Sequence, residues 1–124
     1  MAFWPKAYTT QHEVWTKTPD GRDLAFLTGY AIFDFKGTAN QQWRREDLYM
    51  KMGPKWTNLQ DVAPVVSLAS ISNVSTAVDA GWAVDNCRWG TINGHIHLQC
   101  RLAVRDVDGY IHRVAYHITA IGKR

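Results

Sequence analysis

Cysteine is scarce in this 124-residue chain: Cys87 and Cys100 are the only two, and they lack a C-x-x-C spacing. Two thiols cannot build a disulfide framework, and their spacing points to neither a zinc site nor a redox motif. A single Cys87–Cys100 bridge stays open. There is no apolar run near the roughly 20 residues that a spanning helix needs. The start, Met1-Ala2-Phe3-Trp4-Pro5, lacks the charged and apolar regions of a secretion signal. Basic runs are missing as well: 14 Lys and Arg stand against 11 Asp and Glu for a formal charge of +3. They are interleaved, as in Arg22-Asp23, Arg44-Arg45-Glu46-Asp47 and Arg105-Asp106, which argues against a nucleic-acid partner.

Motifs of catalysis are absent too. No G-x-S-x-G elbow, P-loop or dinucleotide fingerprint occurs, and the Ser/Thr-rich residues 67–76 come with no positioned base. Asp20, Asp23, Asp34, Glu46, Asp47 and Asp61 show no spacing of a glycosidase acid and base. The expectation is a binding module without cofactor, not an enzyme. Asn73-Val74-Ser75 fits the glycosylation pattern, which has meaning only in a eukaryotic secretory setting.

What the chain does have is alternation. From Gly94 to Ile121, Ile96, Leu98, Cys100, Leu102 and Val104 alternate with polar residues, and Val114, Tyr116, Ile118 and Ala120 do so again. That is the period of half-buried strands. Placing inward residues opposite inward residues predicts a hairpin between them, closed by a three-residue loop Val107-Asp108-Gly109 that pairs Leu102 with Val114 and Cys100 with Tyr116. Upstream, a strand from Trp82 to Trp89 joins through Asn93-Gly94, giving a three-strand meander. Val62 to Ser72, entered through Pro64, and Ala25 to Lys36, with Gly29 as a candidate bulge, are further strands. Gln41 to Lys51 is left between a short helix and a strand, because Trp43, Leu48 and Tyr49 match neither period well. Residues 1–24, with a Pro19-Asp20-Gly21 turn, are an arm or first hairpin, and residues 25–124 form the domain. The fold class is all-β, an antiparallel sandwich of about six strands.

Two constellations could carry chemistry. His95 and His97 lie two apart on one strand, with His117 close in the predicted register, an arrangement that suits a metal. No Glu follows at cupin spacing, so a solvated polar face is favoured over a metal site. The aromatic and polar residues near strand ends, Trp82, Trp89, Asp106, Asp108 and Tyr110, lie where loops display binding groups. Six Trp and five Tyr are many for this length. Aromatic faces beside Asp, Asn and Arg suit sugars, which offer an apolar C–H face and a rim of hydroxyls.

Leu27-Thr28-Gly29-Tyr30, Gln42-Trp43, Ala63-Pro64-Val65-Val66-Ser67-Leu68, Asn93-Gly94-His95-Ile96, then Tyr110 and Val114-Ala115-Tyr116-His117-Ile118, run in an order that resembles the H-type lectin domain over about residues 27–121. The resemblance implies a six-stranded sandwich assembled as a homotrimer or a pair of trimers, with sugar bound between protomers. It also implies the setting of a secreted lectin or of a phage tail fibre or other virion appendage. Tyr110 falls on a sugar-contacting Tyr of that family. Trp82 stands where the family has Arg, Val104 and Arg105 where it has Trp and His, and the Gly-Asp loop is represented only by Asp34, Lys36, Gly37 and Asn40. The implied site, Trp82, Arg105, Asp108 and Tyr110 against a surface glycan, therefore carries a different sugar specificity on a shared fold. The alternatives are a purely structural virion protein and a small β-barrel enzyme.

Overall fold

A computed structural model describes residues 2–73 and 80–124, and these contain strands and no helix. The strands are β1 (Ala2–Phe3), β2 (Ala7–Tyr8), β3 (His12–Lys17), β4 (Asp23–Lys36), β5 (Trp43–Met52), β6 (Asn58–Asn73), β7 (Gly81–Ile92), β8 (His95–Arg105) and β9 (Gly109–Lys123). They form two packed sheets. Sheet A runs β1-β5-β8-β7, with β1 parallel to β5 and the other pairs antiparallel. Sheet B runs β2-β4-β9-β6, with β3 also on the open edge of β4. Among the described residues the sheets do not close into a barrel.

The core lies between the sheets because alternate residues of each strand face inward. Leu48, Met50 and Met52 of β5 and Ile96, Leu98, Cys100 and Leu102 of β8 come from sheet A. Ala25, Leu27, Ala31, Phe33 and Phe35 of β4 and Val114, Tyr116, Ile118 and Ala120 of β9 meet them from sheet B. Each fully buried Leu, Ile, Met or Phe contributes roughly 1.5–3 kcal/mol from water exclusion. β1 adds Phe3, whose ring packs 5.5 Å from Phe33 and 5.6 Å from Phe35. From Trp43 onward the ambiguous stretch 41–51 belongs to β5. Its aromatics point out and its methionines point in, so apolar residues occupy both faces.

The predicted hairpin between the last two strands is not formed. β8 lies in sheet A between β5 and β7, while β9 lies in sheet B between β4 and β6. The chain changes sheets at the corner 106–109, where Gly109 N–H donates to Asp106 C=O at 3.2 Å and Asp106 takes a φ of 91°. The parity argument is satisfied just as well by inward residues that face each other across a core as by residues side by side. The Asn93-Gly94 hairpin is present: Ile92 pairs with His95, and φ is 51° and 81° at the two loop residues, as a type I′ turn requires.

Gly29 is not a bulge. It pairs regularly with Tyr116, and a Cβ there would lie 2.5 Å from the Tyr116 hydroxyl and 2.8 Å from Cζ. The glycine makes room for that ring. The bulge of β4 falls between Ile32 and Phe35. Pro64 lies inside β6, which pairs with β9 alone in sheet B, so its missing N–H faces the open edge. Both cysteines are free thiols. Residues 74–76 of the Ser/Thr-rich segment, and with them Val74-Ser75 of the glycosylation triplet, lie outside the described residues.

Candidate functional site

The outer face of sheet A combines exposed rings with charged and amide groups. Trp43, Arg45, Asp47, Tyr49 and Lys51 of β5 point outward because Leu48, Met50 and Met52 point inward. Opposite them on β8 stand Arg105, Ala103, Arg101, Gln99 and His97. The side chains therefore lie in rows across the sheet.

Two aromatic stations mark the ends of this face. At one end the Trp43 indole reaches across β8 toward β7, where a Cβ on Gly81 would lie 2.8 Å from its Cη2. The missing side chain of Gly81 lets the ring lie flat, 39% exposed, with the Arg45 guanidinium 5.6 Å from its centroid. At the other end Trp4, Tyr49 and His97 meet with centroid separations of 5.3–5.7 Å, and Trp4 is 49% exposed. Burial among these rings holds the His97 imidazole below its usual pKa, which favours the neutral form. Gly90, opposite His97 on β7, leaves open space beside it. Trp43 and Tyr49 are six residues apart on one strand, or about 20 Å.

Between the stations Arg101 donates Nε–H and Nη2–H to the two Asp85 carboxylate oxygens, at 3.0 and 2.8 Å. Those bonds hold the Asp85 carboxyl below its ordinary range. The pair is half exposed, so it orders the middle of the face more than it stabilises the fold.

The residues expected to bind ligand are separated. Arg105 lies on the outer face of sheet A opposite Trp43 and Gly81. Trp82 points inward from β7 and packs against the core. Asp108 sits in the corner between the sheets. Tyr110 lies on the outer face of sheet B, stacked 5.2 Å from the His112 ring. The three histidines do not converge either: His95 and His97 belong to sheet A and His117 to the outer face of sheet B. His95 Nδ1 bonds the Gly53 carbonyl at 3.0 Å. Among the described residues no three His, Cys, Asp or Glu side chains group as metal ligands.

Sequence reasoning missed Trp4, Trp43 and Tyr49 as surface groups. The signal was present: Trp43, Arg45, Asp47, Tyr49 and Lys51 alternate with Leu48, Met50 and Met52 once the segment is read as a strand. Comparison of the chain with family models, curated proteins and solved structures finds no match.

Proposed function

We propose that the chain is a carbohydrate-binding module that receives a glycan along the outer face of sheet A. The observation that carries this reading is the pair of exposed aromatic stations, about 20 Å apart, on one face rich in hydrogen-bonding groups. Trp43 over Gly81 and Trp4 with Tyr49 offer apolar faces for sugar rings. Gln99, Lys51, Arg101 and Asp85 offer partners for hydroxyls. An open sheet face suits an extended chain of several sugars, bound weakly per ring and strengthened by display in several copies.

The resemblance to the H-type lectin domain supports the same class of ligand, and with it a homotrimer or hexamer displayed on a virion appendage or secreted. In that version the sugar lies between protomers, against Arg105, Asp108 and Tyr110. A second reading, a structural subunit, draws on the outer face of sheet B. There Val14 pairs with Phe26, both exposed, and Val65 is 60% exposed.

Glycan-array binding of the intact protein tests these readings with Trp43→Ala, Tyr49→Ala and Tyr110→Ala. Loss of about tenfold or more on Trp43→Ala, with Tyr110→Ala unchanged, supports the sheet A site. Loss confined to Tyr110→Ala moves the site to the protomer cleft. An array bound by none of the proteins overturns the carbohydrate reading and leaves the structural one.

A further inference from the structure

A second cluster of side chains lies on sheet B, away from the outer face of sheet A. Ser72 on β6, His112 on β9 and Asp34 on β4 occupy three adjacent strands of sheet B and are joined by hydrogen bonds. Ser72 Oγ stands 2.7 Å from His112 Nε2, and His112 Nδ1 stands 2.9 Å from Asp34 Oδ1. The second carboxylate oxygen of Asp34 receives the Lys6 ammonium at 2.9 Å. The Tyr110 ring is stacked on the imidazole, its plane tilted by 9°, and covers one face.

The backbone is irregular at the same place. On the β4 side, register passes from Ile32↔Arg113 to Phe35↔Ile111, so Phe33 and Asp34 together oppose His112. On the β6 side it passes from Ser70↔Arg113 to Ile71↔Ile111, so His112 has no partner residue there. Two bulges in neighbouring ladders meet at one histidine of a central strand. Bulges re-aim side chains, and here they turn the imidazole so that it spans from β6 to β4.

We propose that Ser72 is an activated nucleophile that takes the acyl group of a carboxylic ester. An ionised Asp34 only accepts hydrogen bonds, so it holds the proton on His112 Nδ1 and leaves the Nε2 lone pair facing the Ser72 hydroxyl. Ser72 Oγ attacks the ester carbonyl carbon and its proton passes to Nε2. The tetrahedral adduct collapses with cleavage of the C–O bond to the alcohol, which departs with the proton from Nε2. The acyl group is left on Ser72. Water then attacks the same carbonyl, giving its proton to Nε2. The acid leaves as that proton returns to Ser72 Oγ. Ser72 and His112 touch the reacting atoms, whereas Asp34 positions the imidazole. The three lie on an open sheet face, which admits an ester on a small molecule or on a polymer. Turnover depends further on donors to the ester oxygen, so acylation itself is the direct readout.

The experiment is labelling of the full chain with 4-nitrophenyl acetate and with a fluorophosphonate, followed by intact mass and peptide mapping. The expected result is a single adduct on Ser72, lost in Ser72→Ala. The labelling rate should fall about 100-fold or more in His112→Gln, the usual scale of a general base, and recover in part on addition of free imidazole. Asp34→Asn should slow labelling and alter its pH profile while circular dichroism stays that of the parent protein. Adducts confined to lysines, or Ser72 labelling at an unchanged rate in folded His112→Gln, would overturn the proposal.

Discussion

Replacing Gly29 by alanine sets a methyl group against a ring that cannot easily leave. Tyr116 is 1% exposed, its hydroxyl donates to Gln11 Oε1 at 2.9 Å, and the added Cβ would lie 2.5 Å from that oxygen and 2.8 Å from Cζ. Overpacking of this kind costs about 1–3 kcal/mol. Stiffening the unfolded chain at a position with ordinary φ returns about 0.4–1 kcal/mol. The net loss is about 1–2 kcal/mol, which at a urea slope of about 1–3 kcal/mol/M lowers the midpoint by roughly 1 M. Tyr116→Phe removes the nearest atom, so Gly29→Ala should cost less in a chain that already carries Tyr116→Phe than in the parent. A double-mutant cycle by urea denaturation measures that coupling. A Gly29→Ala protein as stable as its parent, or strictly additive costs, would refute the claim that the glycine exists to admit the ring.

Further outcomes follow from single features. Burial pushes the Tyr116 phenol and the Cys100 thiol up to about 12. Their contribution to stability is therefore full below their ordinary values of 10 and 9 and is lost as pH rises toward 12; stability measured from pH 8 to 12 should fall less steeply in Tyr116→Phe. Cys100 should resist a disulfide reagent in the native state at about pH 8 and react only on unfolding, as thiol counting can show. Asp20, held down to about 2 chiefly by hydrogen bonds from Arg22 and Thr18, contributes stability above its ordinary 3.8 that disappears as pH falls through 2. NMR titration should show that low midpoint in the parent and a return toward the ordinary value in Arg22→Ala. Gly94→Ala forces a side chain to φ 81° and sets its Cβ 3.0 Å from the Trp56 carbonyl, so a loss of about 1–2 kcal/mol is expected in thermal or urea unfolding.

Strand existence was legible because inward residues recur at every second position, and the Asn93-Gly94 turn was legible because few residues other than Asn and Gly adopt positive φ. Sheet membership was not. Leu98 and Cys100 carry the same pattern whether Ile118 and Tyr116 sit beside them or across the core, and local sequence does not contain that choice. β5 was obscured for a related reason: Trp43 and Tyr49 are apolar yet face solvent, so counting hydrophobic positions mixed the two sides of the strand. The same confusion hid the rings of the candidate glycan face. Ser72, His112 and Asp34 are 78 residues apart at their extremes, and their meeting depends on strand order and on two bulges that no motif announces.

The position of Pro64 bears on how the protein behaves in a crowd. β6 and β7 are the outermost strands on one side of the two sheets, and such rows of unpaired amides invite other chains to add on. In β6 the run Val62-Ala63-Pro64-Val65-Val66 would be an adhesive β-branched segment but for the ring that removes one outward donor. In β7 the register slips between Asp85 and Arg88, with Asn86 at a φ of 56°, which breaks the row there. Both margins thus carry an interruption of the kind that blunts the addition of another strand. Pro64→Val would restore the uninterrupted margin of β6, and aggregates positive for a cross-β dye that grow faster than those of the parent protein are the expected outcome.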